Sequence, residues 1–348
     1  MDSSPTPASF AITGLGALTP VGGNAQQSFA AFNAGLVAFT EHSYITCTPD
    51  EPEWDMRLPL FAGQVPVLEP TAQGAERLIQ LAMPALEECL AQSKLSRSDL
   101  SRTGLFIAMP AADTGLNQQH VFEPLLGRMG LASISQTQVL SSGHVASFEA
   151  VHKAVEALRQ GALKHAIVLA VDSYLLEQRL AHYDSQWRVK SERNVDAFIP
   201  GEAACALLVE QASTASERGA DILSLIKGCG FGMESNVLGG DKSSSGEGLV
   251  QATRAALAAG QHCTFTHFYS DFSGESYYAY ELGLLQSRLA ELFATVQAKH
   301  YPATSVGNTG AAAGALAVLF ASQGKAGYSL HSCASDGSKR GALILETI

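Results

Sequence analysis

Ten histidines, six cysteines and 33 acidic residues hold most of the chemistry in this chain, and their spacing excludes several kinds of site. Cys47, Cys89, Cys205, Cys229, Cys263 and Cys333 form no CxxC pair and are irregularly spaced, the pattern of free thiols in a reducing compartment. Cys205 and Cys333 fall in apolar runs and read as small core residues. No two histidines stand at metal-ligand spacing backed by cysteines or acids, so no metal is expected, and most histidines read as surface or cap residues. There is no Walker loop, HExxH, GxSxG elbow or EF-hand loop. Gly14-x-Gly16 follows an apolar run, but the third glycine of a dinucleotide fingerprint would fall at Thr19, with Pro20 beside it and no ribose-binding acid at a suitable distance. The glycines therefore read as a tight turn, and no cofactor is expected. His144 follows Gly143 where a helical pattern begins. A lone histidine there is more often a satisfied hydrogen-bonding residue than a catalyst.

The elements that must position these residues alternate. Strands are predicted at Ser9–Ala17, Thr103–Met109, His165–Val171, Ala203–Leu208, Ile222–Phe231, Phe265–Ser270, Gly327–Ser332 and Ala342–Glu346. Helices are predicted after a cap at Asn24, over Gly74–Gln92, Val145–Arg159, Gly246–Ala258 and Tyr277–Leu292, and from Ala311 to Phe320. Residues 38 to 70 hold five prolines and little periodicity, and read as an extended insertion or loop. The alternation specifies an α/β protein with mostly parallel sheet. Ile12-Thr-Gly-Leu-Gly16 resembles Ile226-Lys-Gly-Cys-Gly230, 214 residues on, which suggests two similar halves joined near residues 212 to 220. The division expected is 1–215 and 216–348, with the elbow of the first half at 143–145.

Composition narrows the partners. The 348 residues carry 22 Lys+Arg and 33 Asp+Glu, a net charge of −11. A chain this acidic, with no basic block, suits neither nucleic acid nor an anionic membrane surface. Charged residues make up only 16%, against 46% hydrophobic, so much of the chain is buried or faces a partner. Lys299 to Lys325 has no charged residue between its ends, but its continuous apolar part is short and predicts a core helix rather than a membrane span. The N-terminus has no basic or apolar signal region, and a cytoplasmic location is expected.

Four stretches, in order, resemble the thiolase superfamily and its β-ketoacyl-acyl-carrier-protein synthases. They are Ile12-Thr-Gly-Leu-Gly-Ala-Leu-Thr-Pro-Val-Gly22; Gly143-His-Val-Ala-Ser-Phe-Glu-Ala-Val-His-Lys-Ala154 with Ala166-Ile-Val-Leu-Ala-Val-Asp-Ser173; Asp196-Ala-Phe-Ile-Pro-Gly-Glu-Ala-Ala204; and Gly307-Asn-Thr-Gly-Ala-Ala-Ala-Gly-Ala315. The resemblance implies a five-layered αβαβα fold of two similar halves, usually as a homodimer. It also locates the family's active site, and there this chain departs. The nucleophilic cysteine's position holds His144, and an imidazole cannot hold a thioester. The first catalytic histidine's loop is Ser270-Asp-Phe-Ser-Gly274, which places Ser270 or Asp271 at the site. The second catalytic histidine becomes Asn308, which can donate to an oxyanion but cannot relay a proton. The family lysine aligns with Ala303, and the gate appears as Ser335-Asp336-Gly337-Ser338. A Ser142–His144–Asp271 triad has no support in the spacing. Asp172 and Glu202 are expected at turns and subunit contacts.

Without nucleophile, histidines, lysine or gate, the family's condensation has no route, and a non-catalytic accessory, adaptor or chaperone-like protein is expected. Glu41-His-Ser-Tyr44, Val67–Leu78, the Gly143-His144 elbow and Lys190–Gly201 are similar to short thiolase-like proteins encoded beside type VI secretion genes, which implies a role in loading an effector. The alternative is an acyltransferase of the β-ketoacyl synthase type, or a chain-length-factor-like subunit paired with an active synthase. An acyl-binding role predicts an apolar tunnel reaching His144, whereas a scaffold predicts a plugged pocket.

Overall fold

The computed structural model describes residues 9–46, 58–69, 71–111, 116–192, 194–259 and 263–348. Cys47 and much of the proline-rich stretch lie outside them. The chain begins with β1 (Phe10–Leu18), α1 (Ala25–Asn33), β2 (Phe39–Thr46), β3 (Leu58–Gly63) and α2 (Gly74–Ser93). It continues with β4 (Thr103–Ala108), α3 (Gln119–Arg128), β5 (Gln136–Leu140), α4 (Ala146–Arg159), β6 (His165–Ser173), α5 (Glu177–Ser185) and β7 (Glu202–Gln211). Then come α6 (Ala212–Glu217), β8 (Ser224–Met233), α7 (Glu247–Ala259), β9 (Phe265–Ser270), α8 (Ser276–Arg288) and α9 (Ala290–Phe293). β10 (Ala298–His300), α10 (Ala303–Val306), α11 (Ala313–Ser322), β11 (Gly327–Ala334) and β12 (Lys339–Thr347) complete it.

Strand pairing repeats itself. In the first half β1 and β7, and β7 and β6, are antiparallel, while β6 and β4, and β4 and β5, are parallel. In the second half β8 and β12, β12 and β11, β11 and β9, and β9 and β10 repeat that order and sense. Phe10–Ile12 of β1 pair with Ser224–Ile226 of β8, so the two five-stranded sheets join at this seam.

Burial follows the period of a strand covered on both faces. In β6, Ala166, Val168 and Ala170 face the central core, while Ile167, Leu169 and Val171 face an outer core under α2. In β12, Leu343 and Leu345 face the centre, and Ala342 and Ile344 face the outer core under α7. The centre is filled by α4 and α11, giving the five layers α, β, α, β, α. All ten residues of α11 are buried, as expected of a core helix. Among the described residues, no helix is long and apolar enough to cross a membrane.

The repeated glycines have one physical cause. A Cβ on Gly16 of β1 would lie 1.9 Å from the Ala85 carbonyl oxygen of α2. A Cβ on Gly230 of β8 would lie 2.3 Å from the Ala252 carbonyl oxygen of α7. Each sheet is thus in backbone contact with its outer helix.

Some elements differ from the pattern reading. Residues 38 to 70 read as a loop, but β2 and β3 form an antiparallel ribbon there. Leu60 and Ala62 are fully buried on one face, and Leu60 packs on Leu180 and Val189, while Phe61 faces out. The helix expected over Tyr277–Leu292 breaks at Leu289, whose non-helical ψ of 39° separates α8 from α9. Short elements with mixed polarity, namely α3, β5, α5, α6 and β10, give no clear period.

Replacing Gly16 or Gly230 by Ala is expected to cost about 1–3 kcal/mol, because backbone must move to admit the methyl group. Gly127→Ala, whose Cβ meets nothing within 4 Å, is the control. Chemical denaturation checks this: the first two variants lower the midpoint and the third does not.

Candidate functional site

The turn after β5 brings His144 to the centre. Gly143 has φ of +70°, and the 3₁₀ turn Gly143–Val145 runs into α4. His144 is 6% exposed, and its Nε2 lies 2.8 Å from Asn308 Oδ1. The Gly310 N–H donates to the same oxygen at 3.0 Å, which fixes it as the amide acceptor. His144 Nε2 therefore carries the proton and donates, so this nitrogen is no free base. Asn308 Nδ2 donates to Ser273 Oγ at 3.3 Å. The Asn308 backbone is pinned as well: its N–H donates to Ile199 O and its carbonyl accepts from Gly201 N–H.

Five of the six expected positions meet here. His144, Ser270, Asp271, Asn308 and Asp336 line one cavity of about 20 Å³, together with Phe272, Ser273, Tyr278 and Glu281. That is the space of about one water molecule. Ala303 does not line it; the residue begins α10. Asp271, just past the end of β9, accepts the Ala334 N–H with its Oδ2 at 2.9 Å, and burial pushes its carboxyl up.

Asp336 stands between positive and hydroxyl donors. Arg188 Nη1 and Nη2 donate to its two oxygens at 2.9 Å, Tyr183 donates at 2.9 Å and Tyr278 at 2.7 Å. Burial opposes the charge, but the Arg188 guanidinium holds the carboxyl well below the usual range. Arg188 also grips Glu275 with two bonds of 2.7 and 2.9 Å. Arg340, fully buried, pairs with Glu281 and donates to the carbonyls of Ser335, Gly337 and Lys339. Sequence reasoning missed Tyr183, Arg188, Glu275 and Tyr278. They come from stretches remote in sequence, and nothing local marks them.

Asp172 and Glu202 sit in strands rather than turns, and they are completely buried. Asp172 pairs with Arg179 and accepts the Ala311 N–H at 2.8 Å. Glu202 takes two bonds from Arg77, at 2.7 and 2.8 Å, and others from Ser173 Oγ and the Val65 N–H. Both acids knit the interior of this chain. His144 is buried at its helix start as expected, while His165 and His331, unlike the surface or cap positions expected of most histidines, are buried as well. Cys205 and Cys333 are buried core residues as expected, and burial raises their thiols well above the usual range. Among the described residues, no group of three or more potential ligands could hold a metal ion.

A wider groove of about 580 Å³ lies on the other side of His144, between Val139, Leu140, Ser142, Tyr174, Tyr183 and the turn from Ser335 to Lys339. Close to the site, His300, Tyr269 and His331 stack face to face, with centroids 4.4 and 4.9 Å apart. His300 Nε2 lies 3.0 Å from His267 Nδ1.

No protein-family model matches this chain, and no curated protein matches it. Solved structures do. One is AntDE:AntF (apo), a type II PKS acyl-carrier protein in complex with its ketosynthase bound to the hexaketide. The match is 16% identical with a TM-score of 0.82, covering 99% of this chain and all of that one. The ishigamide ketosynthase/chain length factor is 15% identical with a TM-score of 0.79, over 99% of this chain and all of that one. The ketosynthase from module 6 of the bacillaene synthase of Bacillus subtilis 168 is 14% identical with a TM-score of 0.77, over 98% of this chain and 72% of that one. The chain thus has the thiolase-like fold of ketosynthases and chain length factors.

Burial lowers His300 to about 4 and His331 to about 3, each helped by a neighbouring imidazole. These groups stay neutral in the folded protein while the unfolded chain binds protons below pH 6.5, so their contribution to stability falls with pH. As pH drops from 6.5 to 4, wild type is expected to lose stability relative to His300→Gln. Denaturation midpoints measured across that range check it.

Proposed function

We propose that this protein is a non-condensing, thiolase-like scaffold that acts by binding other proteins. One observation carries the proposal: the residues at the family's active-site positions line a cavity of only about 20 Å³, where His144 and Asn308 are bonded to each other. An acyl chain needs an open apolar tunnel at the elbow, and His144 supplies no thiolate to receive it. The boundaries 1–215 and 216–348 for the two halves belong to the same proposal. The secretion role, loading an effector through an adaptor in the cytoplasm, is supported by the four sequence stretches that resemble secretion-associated thiolase-like proteins. A second reading, a chain-length-factor-like subunit beside an active synthase, is favoured by the likeness to the ketosynthase/chain length factor structure and by the groove beside His144.

A second copy or a partner synthase could pair at β5, an edge strand that among the described strands pairs with β4 alone and is partly exposed along its length. Replacing Thr137 by Pro removes a backbone donor there. Light scattering is expected to show wild type as a dimer and the variant shifted toward monomer. A monomeric wild type would count against self-pairing.

The function is tested by intact-mass spectrometry after incubation with acyl-CoA and malonyl-loaded carrier protein. His144→Cys and an active synthase serve as comparisons. Wild type is expected to gain no acyl mass and form no condensed product. A stable adduct would overturn the proposal.

A further inference from the structure

We infer that a groove at the far end of the first sheet, with His165 in its wall, binds a small uncharged polyhydroxy compound of about monosaccharide size. The groove shares no lining residue with the two spaces beside His144, so the inference stands apart from the proposed function. His165 opens β6, while Asp172, which bonds the start of α11, lies near its other end, roughly 25 Å along the strand. The groove holds about 370 Å³, within the range of about 300–1,000 Å³ for small-molecule sites.

The end of α2, the starts of β1 and β6, and the turn after α6 build it. The pairing of β1 with β7 skips a register at Thr13, between Ile12 and Gly14. Such a bulge re-aims a side chain, and here the Thr13 hydroxyl donates to Glu210. Glu210 is completely buried; Arg218 Nε donates to it at 2.9 Å, and Arg218 Nη1 donates to the Ser93 carbonyl at 2.8 Å. Glu210 and Arg218 thus satisfy each other, but His165 is left over. It is 3% exposed, and neither ring nitrogen has a hydrogen-bond partner. Its Nε2 lies 3.6 Å from Glu210 Oε2, too far for a hydrogen bond. Burial favours the neutral ring over the pull of the Glu210 charge. A lone pair aimed at a carboxylate would be repelled, so Nε2 carries the proton and Nδ1 is the bare acceptor. Both nitrogens are covered. The rim side chains Lys94 and Lys164, however, are exposed and make no ion pair among the described residues, so they are free to move around an occupant.

The wall selects the occupant. Lys94, Lys164 and Arg218 line the groove together with Asp99, Glu217 and Asp221, three charges of each sign, and Glu210 behind them adds one more negative charge. An anion therefore meets no net attraction. Among the described residues no aromatic ring lines the groove, so a flat base has nothing to stack on. An ammonium brought down to His165 would meet the field of the Arg218 guanidinium, which also acts on that ring. A hydroxyl avoids all three objections. It donates to the His165 Nδ1 or to a carboxylate, and it accepts from an ammonium. A molecule with several hydroxyls thus uses both signs of the wall and carries no charge to the buried end of the groove.

The test is a panel of neutral polyols, namely D-glucose, D-galactose, mannitol and myo-inositol, with inorganic phosphate and citrate as anionic comparisons. Binding to the full chain is followed by saturation-transfer NMR and by the nitrogen chemical shifts of the histidine rings. At least one polyol is expected to bind and to shift the His165 Nδ1 resonance. His165→Leu, which removes the acceptor, is expected to bind that polyol about ten-fold more weakly or worse. Ala220→Phe fills the groove from its rim and leaves His165 in place; it is expected to abolish binding, and it decides the matter should His165→Leu fail to fold. No binding by any polyol, binding of the anions alone, or polyol binding that is unchanged in Ala220→Phe would each overturn the inference.

Discussion

Two helices begin at the buried centre of this molecule, and their first N–H groups must find partners there. A helix start leaves several backbone donors unsatisfied, and burying one without acceptors costs about 1–3 kcal/mol per group. In a site open to substrate, such donors would face an anion. Here the protein supplies the acceptors. At the start of α4, the Val145 N–H meets Ser335 Oγ. Ahead of α11, the Gly310 N–H meets Asn308 Oδ1 and the Ala311 N–H meets Asp172 Oδ2. The same atoms fix His144, Asn308 and the 335–338 turn. Closing the site and satisfying the helix ends are therefore one structural fact.

That centre exists because the chain repeats a half. The two sheets share strand order and sense, and each meets its outer helix at a glycine where a methyl group has no room. Close contact outside leaves the inner faces to meet α4 and α11, and those two helices start side by side. The ion pairs follow the same geometry. Arg77–Glu202 ties β7 to α2, Arg179–Asp172 ties β6 to α5, and Arg340–Glu281 ties β12 to α8. Each joins neighbouring elements inside the fold and has little or no exposure. Removing one partner from such a pair typically costs about 3–5 kcal/mol, because the other charge remains buried.

Much of the fold was legible in the sequence. The buried strands and long helices carry strong periods, and the Gly14–Gly16 and Gly228–Gly230 echo reported a real packing constraint. The positions of His144, Ser270, Asp271, Asn308 and Asp336 were legible through a family resemblance, and the structure brings all five together. Ala303 was placed by alignment alone, and it belongs to the short helix leading into the site. The roles of Asp172 and Glu202 were not legible. A carboxylate in an apolar strand looks like a turn residue until its arginine, 7 residues away for Asp172 and 125 for Glu202, is located in space. The clamp around Asp336 was invisible for the same reason, since its donors lie 58 to 153 residues from it.

The charges around the cavity also bear on what could be restored there. Asp271, Glu275, Glu281 and Asp336 surround the elbow. Burial raises the first three carboxyls, while Arg188 keeps Asp336 ionised. A thiolate placed at residue 144 would face this acidic wall. The Val145 N–H at its helix start is already engaged, and the nearby guanidiniums of Arg188 and Arg340 are already paired. Nearby negative charge raises a thiol's pKa just as a neighbouring cation lowers it. Putting back the cysteine alone would thus give a nucleophile in a field that opposes its active form. The charges that would oppose a thiolate are thus spread over the whole neighbourhood of the elbow, and not confined to the one residue at its tip.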